Sequence, residues 1–235
     1  MLPNQSLAEM DDVALVEAGL VGSRHFKDIV AELDTRKPNE AAAKILIAAF
    51  QQGRCKPWLA ACLLGHIRHP VGYETAQSIL LSNPNIDSAE SYAGEAMAAM
   101  LGAAAYADLR RILYGDHPWR VRRGAVDGMT CIASPQLADD LLQAHLEDRL
   151  RRHDVAWKIA QCKPSDEWLL TLLRNDDFRQ RKLGFAVVDD MVAPNCDLSP
   201  PGPTVAEAIR GLLNDPTVSM MPSRRANLSA WVATS

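Results

Sequence analysis

Apolar residues recur along this chain at helical spacing, and the helical faces themselves recur about every thirty residues. The segments that begin at Ser91, Arg122, Arg152 and Arg181 read SYAGEAMA, RRGAVDGM, RHDVAWKI and RKLGFAVV. Each holds a small or apolar residue at its fourth position (Gly94, Ala125, Val155, Gly184) and an apolar one at its eighth (Ala98, Met129, Ile159, Val188). Steps of three and then four residues mark one buried face of a helix. A second helical segment lies between these and ends in an apolar pair: Leu80–Leu81, Ile112–Leu113, Leu141–Leu142, Leu172–Leu173 and Leu212–Leu213. Most pairs run into turn formers: SNP after Leu81, YGDHP after Leu113, RND after Leu173 and NDP after Leu213. No stretch alternates with period two over a useful length, so no strand competes.

Helix starts fit the same scheme. Ser6 with Glu9 and Thr204 with Glu207 have the spacing of a capping box, in which the hydroxyl accepts from an orphan N–H and the carboxylate reaches back to the cap. Pro135 after Ser134 predicts a proline at a first helical position, where its missing N–H costs nothing. The pattern predicts an all-α fold of about six helix pairs, at 21–53, 54–84, 85–115, 116–147, 148–175 and 176–215, in a single domain over 1–235. Residues 1–20 and 216–235 are its terminal capping elements. One helix pair cannot bury its apolar face alone, and stacked neighbours bury a continuous core.

The stretch DHPWRVRRGA at 116–125 resembles the opening of a HEAT-like repeat of the phycobilisome-lyase type, in which a turn Asp precedes a helix carrying Val-Arg-x-x-Ala. Val121, Arg122 and Ala125 fill those places; later repeats keep Arg152 and Arg181 and replace the Val with Arg151 and Gln180. The resemblance covers roughly 54–215 and is sharp at 116–147. It implies an α–α superhelix, a HEAT-like solenoid. Proteins with such repeats include adaptors, lyases and enzymes, so the architecture leaves the activity open.

Charge adds little at the level of the whole chain, whose net is −4. Its distribution is uneven. Residues 1–109 carry 8 Lys and Arg against 13 Asp and Glu, whereas 110–182 carry 14 against 11. A mildly basic middle falls well short of a nucleic-acid footprint. Five cysteines with no CxxC pair, no apolar leader before the first basic residue Arg24, and no uncharged run of membrane-spanning length predict a cytoplasmic protein with cysteines as small core residues.

Arg122, Arg152 and Arg181 recur at one repeat position, preceded by Asp116, Asp148 and Asp177. Asp–Arg ties between helices explain this ladder better than an anion site does, because repeated positions carry stacking. Arg120, Arg123, Arg149 and Arg151 are surplus to it and are the candidates for partner binding. A Pro-rich stretch at 189–203 lengthens one repeat and adds Asn195 and Asp197 as edge contacts. His66 and His69 share a helix face, but no third ligand stands nearby except the distant Glu74, and the repeated His-Glu dipeptides of HEAT-type iron hydroxylases are missing. His69 reads instead as a helix-end cation. Trp119, Trp157 and Trp168 near Asp154 raise the alkylpurine glycosylase chemistry of other HEAT-like proteins, yet none of that family's motifs matches residue by residue, and Trp157 beside Val155 reads as core. A bilin lyase would need a tetrapyrrole pocket that no residues identify. There is no GxxxxGK, GxGxxG or GxSxG. The expectation is a non-enzymatic adaptor or scaffold with no catalytic residues, metal or cofactor, binding another protein through a solenoid face, as a bacterial regulator or a toxin-neutralising partner would. A nucleic-acid binder or glycosylase-like HEAT protein is the alternative.

Overall fold

The computed structural model describes residues 6–21, 26–82, 88–194, 196–215, 218 and 220–235, and these are helical or irregular with no strand among them. The helices are α1 (Asp12–Leu20), α2 (Phe26–Asp34), α3 (Glu40–Gln51), α4 (Pro57–Ile67), α5 (Tyr73–Ser82), α6 (Ala89–Leu101), α7 (Tyr106–Tyr114), α8 (Trp119–Ile132), α9 (Leu137–Leu146), α10 (Arg152–Gln161), α11 (Asp166–Leu173), α12 (Phe178–Met191), α13 (Pro203–Asn214) and α14 (Pro222–Thr234). Each expected repeat holds two of them, from α2–α3 to α12–α13, with α1 and α14 outside.

Two compact units divide the chain, Met1–Ser134 and Pro135–Ser235. In the first, α4 packs on α6 and α6 on α8, while α5 backs α6 and α7 backs α8. In the second, α10 packs on α12 and α12 on α14, while α11 backs α12 and α13 packs against both α11 and α14. Consecutive pairs stacking helix on helix are the α-solenoid arrangement.

The predicted register is the buried register. Ala125, Val155, Met129, Ile159 and Val188 are fully buried, and Ala98 nearly so. Gly94 and Gly184 are buried too. Glycine matters most where α6 crosses α8. A Cβ on Gly94 would overlap the Gly124 carbonyl oxygen and lie 2.7 Å from its carbon, and one on Gly128 would collide with the Gly94 carbonyl. The two backbones are in contact, which no residue with a side chain allows at these positions.

Local chemistry sets the starts. Asp11, Asn39, Ser165 and Asp177 accept from backbone N–H groups of the first turns of α1, α3, α11 and α12, at 2.7–3.2 Å. Proline opens α4, α13 and α14. Several expected details differ. The Glu9 carboxylate does accept from the Ser6 N–H (3.2 Å), but it closes a single 3-10 turn, Leu7–Glu9. Thr204 is not a cap: Pro203 starts α13 one residue earlier, and both oxygens of Asp166 hold the Gly202 N–H at 3.1 Å. Pro135 lies in a turn before α9 rather than inside it. Leu141–Leu142 does not end its helix, which runs on to Leu146, and Leu81 is exposed. The Pro-rich irregular stretch begins only after Met191, so Asp189 and Asp190 belong to α12. No helix among the described residues is long and apolar enough to cross a membrane.

Candidate functional site

The first turn of α8 carries the most exposed tryptophan-centred cluster of the first unit. Val121, Gly124 and Ala125 face inward and are buried. The helical step therefore turns Trp119, Arg120 and Arg123 outward. Trp119 is 40% exposed. The Arg120 guanidinium lies 5.4 Å and that of Arg123 6.0 Å from its ring centroid. One turn before the connection at 115–118, Arg110 stacks on Tyr114 at 5.0 Å. Next to it Arg111 is bound to Asp108 (2.7 Å), which also accepts from the Tyr73 hydroxyl (2.9 Å). Cation–ring contacts at exposed sites are worth about 0.5–1 kcal/mol each. That offsets part of the roughly 1.5–2 kcal/mol of rotamer entropy an arginine loses when fixed.

The other candidates divide between the units. Arg149 is bound to Glu147 at 2.6 Å, and Arg151 is the exposed residue ahead of α10. Asp197 is exposed, and Asn195 lies outside the described residues. Asp116 is exposed and Asp177 caps α12. The Asp–Arg tie runs from Asp148 to Arg179 at 2.7 Å, and Arg179 also donates to the His145 carbonyl at 2.8 Å. Arg152 and Arg181 make no ion pair among the described residues. Arg122 is half-buried beside the α8 core face.

A cleft of about 330 Å³ in the first unit is lined by the polar residues Asp34, His66, Arg68, Tyr92 and Glu95 together with Cys62, Cys131, Gly65 and alanines. His66 Nδ1 stands 2.7 Å from Asp34. Arg68 ends α4 in the left-handed region and donates to the carbonyls of Asp34 (3.0 Å) and Arg36 (2.6 Å). Burial, with the charges of Glu95 and Asp34, pushes the Cys62 thiol up to about 11, so it carries no thiolate at neutral pH. His69 does not serve the end of α4. Its Nδ1 accepts from the Val71 N–H at 3.3 Å and caps the next turn, because Arg68 has already reversed the chain. No group of three His, Cys, Asp or Glu among the described residues could hold a metal ion.

Tryptophan placement corrects one sequence expectation. Trp157 is 42% exposed, since Val155, Ala156, Ile159 and Ala160 occupy the buried face of α10 and leave it on the far side. Trp168 instead spends its indole N–H on Asp139 at 2.8 Å, and Asp154 sits beside His153 at 3.4 Å. Sequence reasoning missed the Asp34–His66 pair, and no local signal marks two residues brought together from different repeats.

Comparison with family models, with curated proteins and with solved structures finds no match to this chain.

Proposed function

We propose that this chain is a non-enzymatic, HEAT-type protein-binding module whose first unit engages an acidic patch on a protein partner through Trp119, Arg120 and Arg123. The observation that supports it is the exposed indole with two guanidinium groups within 6.0 Å of its ring centroid. Trp, Tyr and Arg dominate binding hot spots, and a ring-stacked arginine forfeits little rotamer entropy when it meets a carboxylate. Stacked helix pairs supply the rigid platform. Single-stranded nucleic acid also stacks on aromatic rings beside arginine. The mildly basic middle of the chain, 14 Lys and Arg against 11 Asp and Glu over 110–182, falls short of a nucleic-acid footprint.

The test is quantitative affinity capture from lysate with the wild-type chain, Trp119→Ala and Arg123→Glu, followed by titration of the recovered protein. Truncating a hot-spot residue costs about 2 kcal/mol or more, roughly thirtyfold in affinity. Binding unchanged in both variants refutes the assignment. So does tight, steeply salt-dependent binding to single-stranded DNA with no protein recovered.

A further inference from the structure

The second unit contains a cation-rich cleft that the sequence pattern does not announce. It encloses about 140 Å³ and is lined by Arg152, Lys182, Phe185, Met220, Met221 and Arg224. Arg152 comes from the first turn of α10, Lys182 and Phe185 from α12, the methionines from the connection before α14, and Arg224 from α14 itself. Three of the six residues are cationic and three are apolar.

The charges here are only partly spent. Arg224 Nε donates to Asp189 at 2.8 Å, which leaves its Nη donors over. Asn227 completes Asp189 at 3.2 Å. Lys182 rests on the Phe178 ring at 4.2 Å and has no carboxylate partner among the described residues, and neither has Arg152. Asp189 is spent on Arg224, and Arg152 and Lys182 have no carboxylate partner among the described residues to offset them, so the cleft favours an anion. The apolar half of the lining selects among anions. Phe185 is buried at the base, and Met221 is 61% exposed at the rim. A ligand polar on every side would leave groups facing these side chains without partners. The space is that of roughly five water molecules at ~30 Å³ each, the scale of a short-chain acid.

We infer that this cleft is a binding site for a small monocarboxylate with a short apolar stem, its carboxylate between Arg152, Lys182 and Arg224 and its stem on Phe185, Met220 and Met221. The inference is independent of the proposed protein interface, which lies in the other unit.

The test uses the full chain with ¹³C-labelled methionine methyl groups and three probes: butyrate, n-butanol and inorganic phosphate. Butyrate shifts the Met220 and Met221 methyl resonances saturably, and the other two do not at the same concentration. Lys182→Gln and Arg152→Gln each weaken butyrate about tenfold, the scale of one charge-assisted hydrogen bond, while Lys182→Arg retains it. Neither glutamine variant breaks an ion pair of the fold, and unchanged melting curves confirm that both remain folded. The inference is overturned if butyrate leaves both methyl signals unmoved, if phosphate or butanol shifts them equally, or if Lys182→Gln binds as wild type does.

Discussion

Replacing Gly94 by alanine tests the contact on which the first unit turns. In a helix with open space around it, Gly→Ala stabilises by about 1 kcal/mol through backbone entropy. At Gly94 the new methyl meets backbone, 2.7 Å from the carbonyl carbon of Gly124. Carbon atoms pack at about 3.5–4.0 Å, so α6 and α8 must separate by about 1 Å. Backbone cannot rotate away as a side chain can, and the separation loosens buried neighbours such as Met97, Leu109 and Met129 together. Overpacking of this kind costs about 1–3 kcal/mol or more, and here it outweighs the propensity gain. The expected net is a loss of about 2 kcal/mol, a fall in melting temperature of roughly 4–8 °C for a chain of this size. Two companions give the comparison its sign. Gly184 stands at the same repeat position, but the nearest atoms to its added methyl are Leu172 Cβ and the Leu173 side chain at 3.1–3.4 Å, which need give by only a few tenths of an ångström. The exposed Gly211 of α13 has nothing within 4 Å, so Gly211→Ala raises the melting temperature by a few degrees. Thermal melts of the three variants should rank Gly94→Ala lowest, Gly184→Ala near wild type and Gly211→Ala highest. A Gly94→Ala chain as stable as wild type would refute the backbone contact.

Two further outcomes follow from protonation. Burial, with Asp189 beside it, pushes the Asp190 carboxyl up from its ordinary 3.8 to about 6. An acid raised on folding contributes stability that is full below about 3.8 and is lost as pH rises through about 6. Asp190→Asn therefore stabilises by about 1 kcal/mol at pH 8, after discount for residual solvent screening, and by almost nothing at pH 4. Equal melting differences at the two pH values would contradict this. Burial likewise pushes the thiols of Cys55, Cys62 and Cys162 up to about 11, whereas Cys131 is exposed. Maleimide labelling at pH 7, read by mass spectrometry, should modify Cys131 before those three, and Cys131→Ser should remove that early adduct.

Sequence periodicity carried the buried face of this protein, because each repeat must present the same face to its neighbours. Positions four and eight of the repeat are buried in α6, α8, α10 and α12 alike. Small residues at Gly94 and Gly184 were legible as packing positions. Which of them touches backbone was not, since the answer depends on the crossing partner, Gly124 in one case and leucine side chains in the other. Trp157 was misread because two residues along the chain from Val155 are a turn of about 200° around the helix. The charged groups were least legible. Asp34 and His66 meet across 32 residues, and Arg179 reaches Asp148 across 31. A repeat period fixes which residues point inward, but leaves the meeting of outward charges to loop lengths and helix tilts.

The arginines separate in the structure into three conditions, and these explain why two of them carry the functional proposal. Arg149, Arg179 and Arg224 are held by carboxylates, so a partner's acid would have to displace an existing one. Arg181 has no ion pair among the described residues, and an unpaired guanidinium gives up rotamer entropy on capture. Arg120 and Arg123 rest on Trp119, where the ring fixes the side chain without occupying its hydrogen-bond donors. They are partly ordered in advance yet still available, and preorganisation of that kind lowers the cost of association. Arg152 gains the same advantage by another route. The cleft it shares with Lys182 and Arg224 confines it beside apolar walls, where a single carboxylate would meet several donors at once.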